Sequence, residues 1–332
     1  MSEDMELSSS RGAGPRDFKR LKQYLAWLSG PYMALLVLLI VCSLSSEHFR
    51  SVQNLLNITR QVSYSGIIAL GMTFVIVGGG IDLSVGSLLA LSGVFSILAM
   101  NQVQGGTAGI LVAALVALLS GLAGGALNGL LVTLGRIPPF IATLGTLSLY
   151  RSLALYFADA GMVASRNDLY RDFGGSFLLG LPTPVLIMLL LTLLMGGVMT
   201  HTSFGRHVCA LGANARVAAF AGIRTGLVGF CTYLIAGGAA GISAMLFGGR
   251  LGSVSSTSAG LSYELDAIAA VIIGGASMSG GRGSLWGTLA GVLILGVVSN
   301  ALDMWGVSVN LQGAVKGLVI IIAVFIQRKD RS

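Results

Sequence analysis

Long apolar runs joined by short polar segments constrain this chain more than any other feature. A helix needs about 20 predominantly apolar residues to cross a bilayer. Ten stretches approach that requirement, at 25–44, 63–80, 86–101, 108–134, 137–157, 178–200, 226–248, 263–277, 285–302 and 308–327. Only 10% of the residues are charged, too few to cover the surface of a soluble domain. The sequence predicts an all-α polytopic membrane protein with about ten transmembrane helices, or eight if the short stretches 86–101 and 263–277 do not span.

The distribution of lysine and arginine predicts the orientation of these helices. If residues 1–24 form a basic, disordered cytoplasmic tail, thirteen basic residues lie inside and five lie outside: Arg50, Arg60, Arg166, Arg171 and Arg250. Cytoplasmic loops of membrane proteins carry such an excess. The net charge of +7 therefore reports orientation and does not indicate a nucleic-acid partner. We expect a membrane domain over 25–327, with both termini cytoplasmic and a second short tail at 328–332.

Several chemistries lack the residues that they require. Cys42, Cys209 and Cys231 show no metal-binding or disulfide spacing, and the three histidines are scattered. The chain has no GxxxxGK[ST], HExxH or GxSxG motif. We therefore expect no catalytic residue, no metal site and no cofactor on this chain.

The stretch "GGGIDLSVGS" (Gly78–Ser87) interrupts an apolar region with three glycines and a carboxylate. It predicts a break in a transmembrane helix, where Asp82 or Ser84 caps the next helix or lines a transport route or gate. The segment Thr73–Ala90 is similar to Ala269–Gly287, with one inserted residue. In the predicted topology this repeat would be parallel, an arrangement that can frame a transport route.

Other polar groups also fall within apolar stretches. Glu264 and Asp266 lie at the predicted start of a helix, where they favour the macrodipole or face the route. Arg151 and Lys316 fall inside predicted spans and are expected to snorkel or to pair with a carboxylate. Three further candidates, which either bond between helices or touch a ligand, are Asn128, Thr143 and Asn300.

The cytoplasmic loop 201–225 contains a short apolar helix. Asn214 is a favourable N-cap and Gly222 a favourable stop. A helix of this length is not stable alone in water, and Val217 and Phe220 would be exposed to the cytosol. The helix must therefore fold back on its own membrane domain or dock into a partner protein.

Four segments resemble the permease subunit of ribose-type ABC importers. They are "GIIALGMTFVIVGGGIDLSVGSLLALSG" (Gly66–Gly93), "RIPPFIATLGT" (Arg136–Thr146), "FGRHVCALGANARVAAFAGI" in the cytoplasmic loop, and "YELDAIAAVIIGGASMSGGRGSLWGTLAGVLI" (Tyr263–Ile294). The resemblance extends from about Asn54 to Arg328. It implies that the loop docks onto an ATPase through Gly205, Arg206, Gly212, Asn214, Ala218, Ala219 and Gly222.

The resemblance also implies a function and partners. A permease of this family moves a monosaccharide, ribose or a similar aldose, from an extracytoplasmic binding protein across the bacterial inner membrane by alternating access. It pairs with a second copy or a paralogue. ATP and Mg²⁺ bind to the partner ATPase, which can consist of two fused domains. The alternatives are another sugar-like ligand such as autoinducer-2, or an ion-coupled secondary transporter. The latter would need a carboxylate relay, whereas Asp82, Glu264 and Asp266 lie near predicted span ends.

Overall fold

A computed structural model describes residues 30–103, 106–308, 311–318 and 321. The basic tails predicted at 1–24 and 328–332 lie outside these residues, as do the first residues of the first predicted span and the last residues of the tenth.

Helices make up most of the described chain. In chain order they are α1 (Pro31–Ser45), α2 (Val52–Val77), α3 (Val85–Met100), α4 (Gly106–Thr133), α5 (Pro139–Phe157), α6 (Asp168–Gly175), α7 (Thr183–His201), α8 (Ser203–Ala213), α9 (Ala215–Phe220), α10 (Thr225–Leu251), α11 (Tyr263–Ile273) and α12 (Leu285–Met304). A 3₁₀ turn, His48–Arg50, precedes α2, and residues 311–318 are also helical.

Six of the described helices are long and apolar enough to cross a membrane: α2, α4, α5, α7, α10 and α12. The apolar helices α1 and α3 are shorter, with 15 and 16 residues. Helix α11 has 11 residues and is therefore about 16 Å long, roughly half the thickness of the hydrocarbon core. The predicted number of about ten spans is thus not confirmed. The predicted span 263–277 ends early because Gly274 is the C-cap of α11 and Gly275 has φ +91°, a left-handed conformation that stops the helix.

Helix α2 is the centre of the bundle. In the most apolar 18-residue stretch of α2, 89% of the residues are buried. The buried share of the corresponding stretch is 28% in α4, 28% in α5 and 33% in α7. Leu111, Leu115 and Leu119 are more than half exposed and follow one another at intervals of four along α4. Such a stripe lies on one helix face, and in a bilayer it contacts lipid or another membrane subunit.

Helices α4 and α10 approach closely through two GxxxG motifs that face each other. A Cβ at Gly121 would overlap the carbonyl oxygen of Gly237, and a Cβ at Gly237 would overlap the carbonyl oxygen of Gly121. Gly125 and Gly241 continue the same seam. Because lipid supplies no hydrophobic drive for helices to associate, close backbone contact through small residues stabilises this pair.

The segments predicted to lie outside the membrane meet at one end of the bundle. Strands β1 (Met162–Ala164) and β4 (Ser253–Ser255) pair antiparallel, with Val163 opposite Val254. Strands β2 (Phe177–Leu178) and β3 (Leu181–Pro182) form a hairpin. Its two turn residues, Leu179 and Gly180, both have positive φ, as tight two-residue hairpin turns require.

Two helix breaks meet at the other end of the bundle. One separates α2 from α3, and the other separates α11 from α12. The Gly281 amide donates to the Val77 carbonyl oxygen at 2.8 Å, which joins the second break to the end of α2. Since α2 and α11 both end beside this contact, they run in the same direction, as the predicted parallel repeat requires.

Candidate transport site and coupling segment

A fully buried carboxylate occupies the first helix break. The Oδ1 atom of Asp82 accepts hydrogen bonds from the Ser84 amide at 2.9 Å and from the Ser84 hydroxyl at 2.7 Å. Its Oδ2 atom accepts a bond from Nδ2 of Asn128 on α4 at 3.0 Å. All three residues have no exposed surface. No cation is among these hydrogen-bond partners, so neutral donors alone compensate the loss of water around this carboxylate.

The network extends from the break to α5. The Asn128 side chain accepts a bond from the Thr146 hydroxyl at 2.7 Å and also donates to the Ser84 hydroxyl at 2.8 Å. The neighbouring Thr143 donates to the Pro139 carbonyl at 2.8 Å and lies 3.5 Å from the Ile81 carbonyl oxygen. The break, α4 and α5 are therefore joined by a buried network, which rigidifies the packing around it.

The capping role expected of Asp82 and Ser84 takes a different form. Ser84 is the N-cap residue of α3, but its side chain accepts no hydrogen bond from that helix. Its hydroxyl instead donates to Asp82, because the Asn128 amide and the Asp82 carboxylate surround it. Asp82 thus holds the loop that enters α3 and does not cap the helix itself.

Glu264 and Asp266 lie in the first turn of α11, as predicted, and share no hydrogen bond with the Asp82 network among the described residues. Both oxygens of Asp266 accept from Nζ of Lys316, at 3.0 and 3.2 Å, so the predicted pairing of Lys316 with a carboxylate is confirmed. The Glu264 carboxylate packs against Gly86, and the Arg151 guanidinium is its neighbouring countercharge. Nη1 of Arg151 donates to the Ser256 carbonyl at 2.8 Å.

Asn300 lies apart from both groups. Its side-chain amide forms two reciprocal hydrogen bonds with that of Asn54, at 3.0 and 2.9 Å, and so joins α12 to the start of α2. The structure therefore divides the predicted route residues among three places. Asp82, Ser84, Asn128 and Thr143 share the first break, Glu264 and Asp266 lie at the start of α11, and Asn300 bonds between two helices.

The loop predicted to be cytoplasmic, 201–225, folds into α8 and α9 with well-formed caps. The Asn214 side chain accepts from the amides of Arg216 at 3.0 Å and Val217 at 3.1 Å, and thereby caps α9. Gly222 has φ +81° and follows the end of α9, so the predicted stop is confirmed. Phe220 is 92% exposed, which gives α9 an uncovered apolar surface.

The predicted docking residues divide into an outer and an inner set. Arg206, Asn214, Ala219 and Gly222 are exposed, whereas Gly205, Ala218 and, in part, Gly212 are buried. A Cβ at Gly205 would overlap the Met199 carbonyl. A Cβ at Gly212 would overlap the carbonyl oxygen of Val77 at the end of α2 and would lie 2.6 Å from the Gly281 amide nitrogen. The buried glycines therefore pack the loop against the membrane domain.

Gly212 brings the loop 201–225 into contact with both helix breaks. A Cβ at Gly79 would lie 3.5 Å from the Gly212 Cα, and one at Gly280 would lie 2.9 Å from it. We define Gly79, Gly212 and Gly280 as the glycine contact. Sequence reasoning identified each segment but missed this contact, because glycine carries no side-chain signal to show which distant backbone it meets.

Two tyrosines near the first break were also missed. The Tyr150 hydroxyl donates to the Gly124 carbonyl at 2.9 Å, and the Tyr233 hydroxyl lies 3.4 Å from the Ile81 carbonyl oxygen. In the sequence both look like ordinary apolar packing residues within a span. Their hydroxyl groups were the only available signal, because a buried tyrosine hydroxyl usually finds a partner.

Neither metal-binding nor disulfide chemistry is built into the described residues. They contain no group of three or more His, Cys, Asp or Glu side chains placed to hold a metal ion. Cys42, Cys209 and Cys231 are free thiols.

Comparison with known proteins identifies the family. A family model described as "Branched-chain amino acid transport system / permease component" matches residues 54–324. The chain belongs to this permease family. It is therefore a multi-pass membrane protein and a transport component, not an enzyme.

Two kinds of curated relatives match nearly the whole chain. The ribose import permease protein RbsC of Bacillus subtilis (strain 168) is 43% identical over 302 residues, 90% of this chain and 92% of that protein. The ribose import permease of Escherichia coli K12 is 41% identical, with coverages of 92% and 96%. The D-allose transport system permease protein AlsC of E. coli K12 is 35% identical over 90% of each chain. These matches confirm the resemblance found in the motifs. No solved structure matches the chain.

Proposed function

We propose that this chain is the membrane-spanning subunit of an ATP-driven importer that moves a monosaccharide into the cytoplasm, with ribose as the first substrate to test. The relatives named for ribose and allose import support the substrate class, because each matches about nine-tenths of the chain. The observation that carries the mechanism is the exposed apolar helix α9, held on a loop that contacts both helix breaks.

Helix α9 is the proposed docking element for the ATPase. Phe220 and Val217 are 92% and 60% exposed, at the end of the bundle that carries the glycine contact. Asn214 anchors the start of the helix, so its apolar surface is presented in a fixed orientation. An aromatic side chain on a rigid element is well suited to fill a pocket on a partner protein.

The glycine contact is the proposed path by which docking acts on the membrane domain. Gly212 lies at the end of α8, immediately before the Asn214 cap, and packs on the backbone of both breaks. Because these backbones touch with no side chain between them, displacement of α9 must displace the breaks as well. ATP and Mg²⁺ would bind on the partner ATPase, and this chain would convert the partner's movement into alternating access.

The remaining partners follow from the same proposal. An extracytoplasmic binding protein would deliver the sugar at the end formed by β1, β4 and the β2–β3 hairpin. A second permease copy or a paralogue would pack against the weakly buried faces of helices such as α4 and α5. The bacterial inner membrane, with both termini cytoplasmic, is the proposed location, since the excess of basic residues then lies inside.

Affinity purification tests the docking proposal directly. We expect the tagged chain, isolated from its native membrane in mild detergent, to retain an ATPase in fixed stoichiometry. Phe220→Ser should reduce recovery of that ATPase about tenfold or more, since central aromatic anchors contribute most of the binding energy of an interface. Leu179→Ser is the matched control, because Leu179 is 89% exposed on the β2–β3 hairpin at the opposite end.

Two results would contradict the proposal. One is unchanged ATPase recovery in the Phe220→Ser protein. The other is purification of the chain alone together with uptake driven by an ion gradient in the absence of ATP.

A further inference from the structure

A cavity of about 110 Å³ lies between α2, α11, α12 and the helical residues 311–318. Its lining is contributed by one face of each helix, with Tyr263, Asp266 and Ala270 from α11 and Leu295 and Ser299 from α12. Residues at these intervals of three and four share a helix face. This volume holds several water molecules or a small ligand, since one water needs roughly 10–15 Å³ on the same measure.

The cavity contains hydrogen-bonding groups whose capacity is not used up. Within the described part of the chain, the hydroxyls of Tyr263 and Ser299 make no hydrogen bond. Both hydroxyl oxygens remain accessible to solvent. The Ser65 hydroxyl makes a single long bond of 3.4 Å to the carbonyl of Val62 on its own helix. Unsatisfied hydroxyls in a membrane domain are costly, so they require water or a ligand.

One ion pair gives the cavity both signs of charge. Nζ of Lys316 lies 3.0 Å from Oδ2 of Asp266. The Asp266 side chain is 19% exposed and the Lys316 side chain is 26% exposed. Of the carboxylates in the described chain, Asp266 alone lines this cavity, and Lys316 already neutralises it. The ion pair leaves the cavity without a net charge, so the charge balance favours a neutral ligand over a free cation.

Apolar side chains complete the lining between the polar groups. Val62, Val292 and Leu295 supply hydrocarbon surface, and Gly296 packs directly against Val62, whose Cγ1 a Cβ at this position would overlap. A lining that mixes hydroxyl groups, one ion pair and hydrocarbon complements a molecule that has hydroxyls at its edges and C–H groups on its faces. We propose that this cavity binds a neutral polyhydroxylated ligand, a monosaccharide, during its passage through the membrane domain.

This site rests on the proposed function and deepens it, because it places the sugar within this chain. Val62 precedes Val77 by fifteen residues on α2, which corresponds to about 22 Å along the helix. The sugar cavity and the glycine contact therefore lie at well-separated levels of the same helix. Helix α11 likewise carries Tyr263 and Asp266 in its first turn and leads into the second break.

Protection of a cysteine from modification tests the site on the full-length chain. In a protein whose three native cysteines are replaced by serine, Ser65→Cys reports on the cavity and the exposed Ser308→Cys is the matched control. We expect millimolar ribose to slow the reaction of a small water-soluble methanethiosulfonate with the cysteine at 65 and not with the one at 308.

Removal of one hydroxyl tests the recognition chemistry. Tyr263→Phe keeps the aromatic ring and should raise the ribose concentration needed for protection about 3- to 10-fold, as expected for one lost hydrogen bond. Tyr156→Phe is the matched control, because Tyr156 is 76% exposed and does not line the cavity. In each variant the reaction rate without sugar should be unchanged, which shows that the cavity is intact.

The proposal is overturned if neither ribose nor allose slows modification at position 65, or if leucine protects and the sugars do not. It is also overturned if Tyr263→Phe and Tyr156→Phe have equal effects. None of these measurements requires the ATPase. If the sugar protects position 65 but no ATPase is recovered, only the proposed docking of the ATPase is contradicted. If the ATPase is recovered but the sugar does not protect position 65, only the proposed sugar cavity is contradicted.

Discussion

At the scale of single residues, Asp82 shows how a carboxylate is held inside a membrane domain. It is fully buried, and Ser84 and Asn128 supply its three donors. An ionised group without such donors would be very costly at this depth. The partners are neutral and come from two different segments, so Asp82 acts as a structural link between the first break and α4.

Loss of the Asn128 donor should therefore destabilise the protein strongly. We expect Asn128→Leu to lower the free energy of unfolding by about 2–3 kcal/mol, because the Asp82 carboxyl group stays fully buried and loses one of its hydrogen-bond partners. Asn300→Leu is the control and should cost about 1 kcal/mol, since it breaks a pair of neutral, part-buried amide bonds. The measurement is the apparent unfolding temperature of each purified variant, and equal decreases would contradict this role for Asp82.

At the scale of helices, the seam between α4 and α10 shows that glycine specifies contact where no side chain can fit. Gly121 and Gly237 place their backbones against each other, and their neighbours four residues away repeat the contact. Such an interface depends on van der Waals packing and tolerates no added methyl group.

Alanine substitutions at two helical glycines should have opposite effects. We expect Gly237→Ala to destabilise the protein by about 1–3 kcal/mol, because its Cβ would overlap the Gly121 carbonyl. Gly145→Ala on α5 has nothing within 4 Å of the new Cβ, so it should be neutral or stabilise by up to about 1 kcal/mol through helix propensity. Thermal unfolding of the two proteins checks the signs, and destabilisation by both would show that the seam is not the cause.

At the scale of the whole molecule, the two ends of the bundle have different structures. One end carries the two strand pairs, and the other carries α8, α9 and the glycine contact. Helix α2 runs between these ends, and both α2 and the shorter α11 terminate at the breaks. Under the proposed function, this arrangement would provide a direct route from an ATPase docked on α9 to the helices that line the proposed sugar cavity.

A methyl group in the glycine contact should therefore separate ATP hydrolysis from transport. We expect Gly212→Ala to retain the ATPase during purification but to reduce sugar transported per ATP hydrolysed about tenfold or more, because a displacement of about 1 Å can cost a hundredfold in a tightly positioned site. Gly226→Ala, with nothing within 4 Å of its Cβ, is the control at the same end. Loss of ATPase recovery in the Gly212→Ala protein would instead place Gly212 in docking.

Much of the architecture was predictable because apolar runs and caps are local properties. The long helices follow from runs of apolar residues, and the ends of α9 follow from Asn214 and Gly222. The pairing of Lys316 with a carboxylate was also predictable, since a lysine at membrane depth requires a partner or a path to the interface. The number of spans was not predictable from the sequence. A short apolar stretch has the same composition whether it crosses the bilayer or ends partway at a glycine, as α11 does at Gly274.

The sequence by itself determined that this chain is a helical membrane protein of the permease family, with a capped apolar helix in the loop 201–225. Only the tertiary structure decided that Asp82 bonds to Asn128, that Asn300 bonds elsewhere, and that Gly212 touches both breaks. The physical reason is that composition and spacing report the environment each segment needs, whereas these contacts join residues tens to hundreds of positions apart. Their geometry depends on how the helices pack.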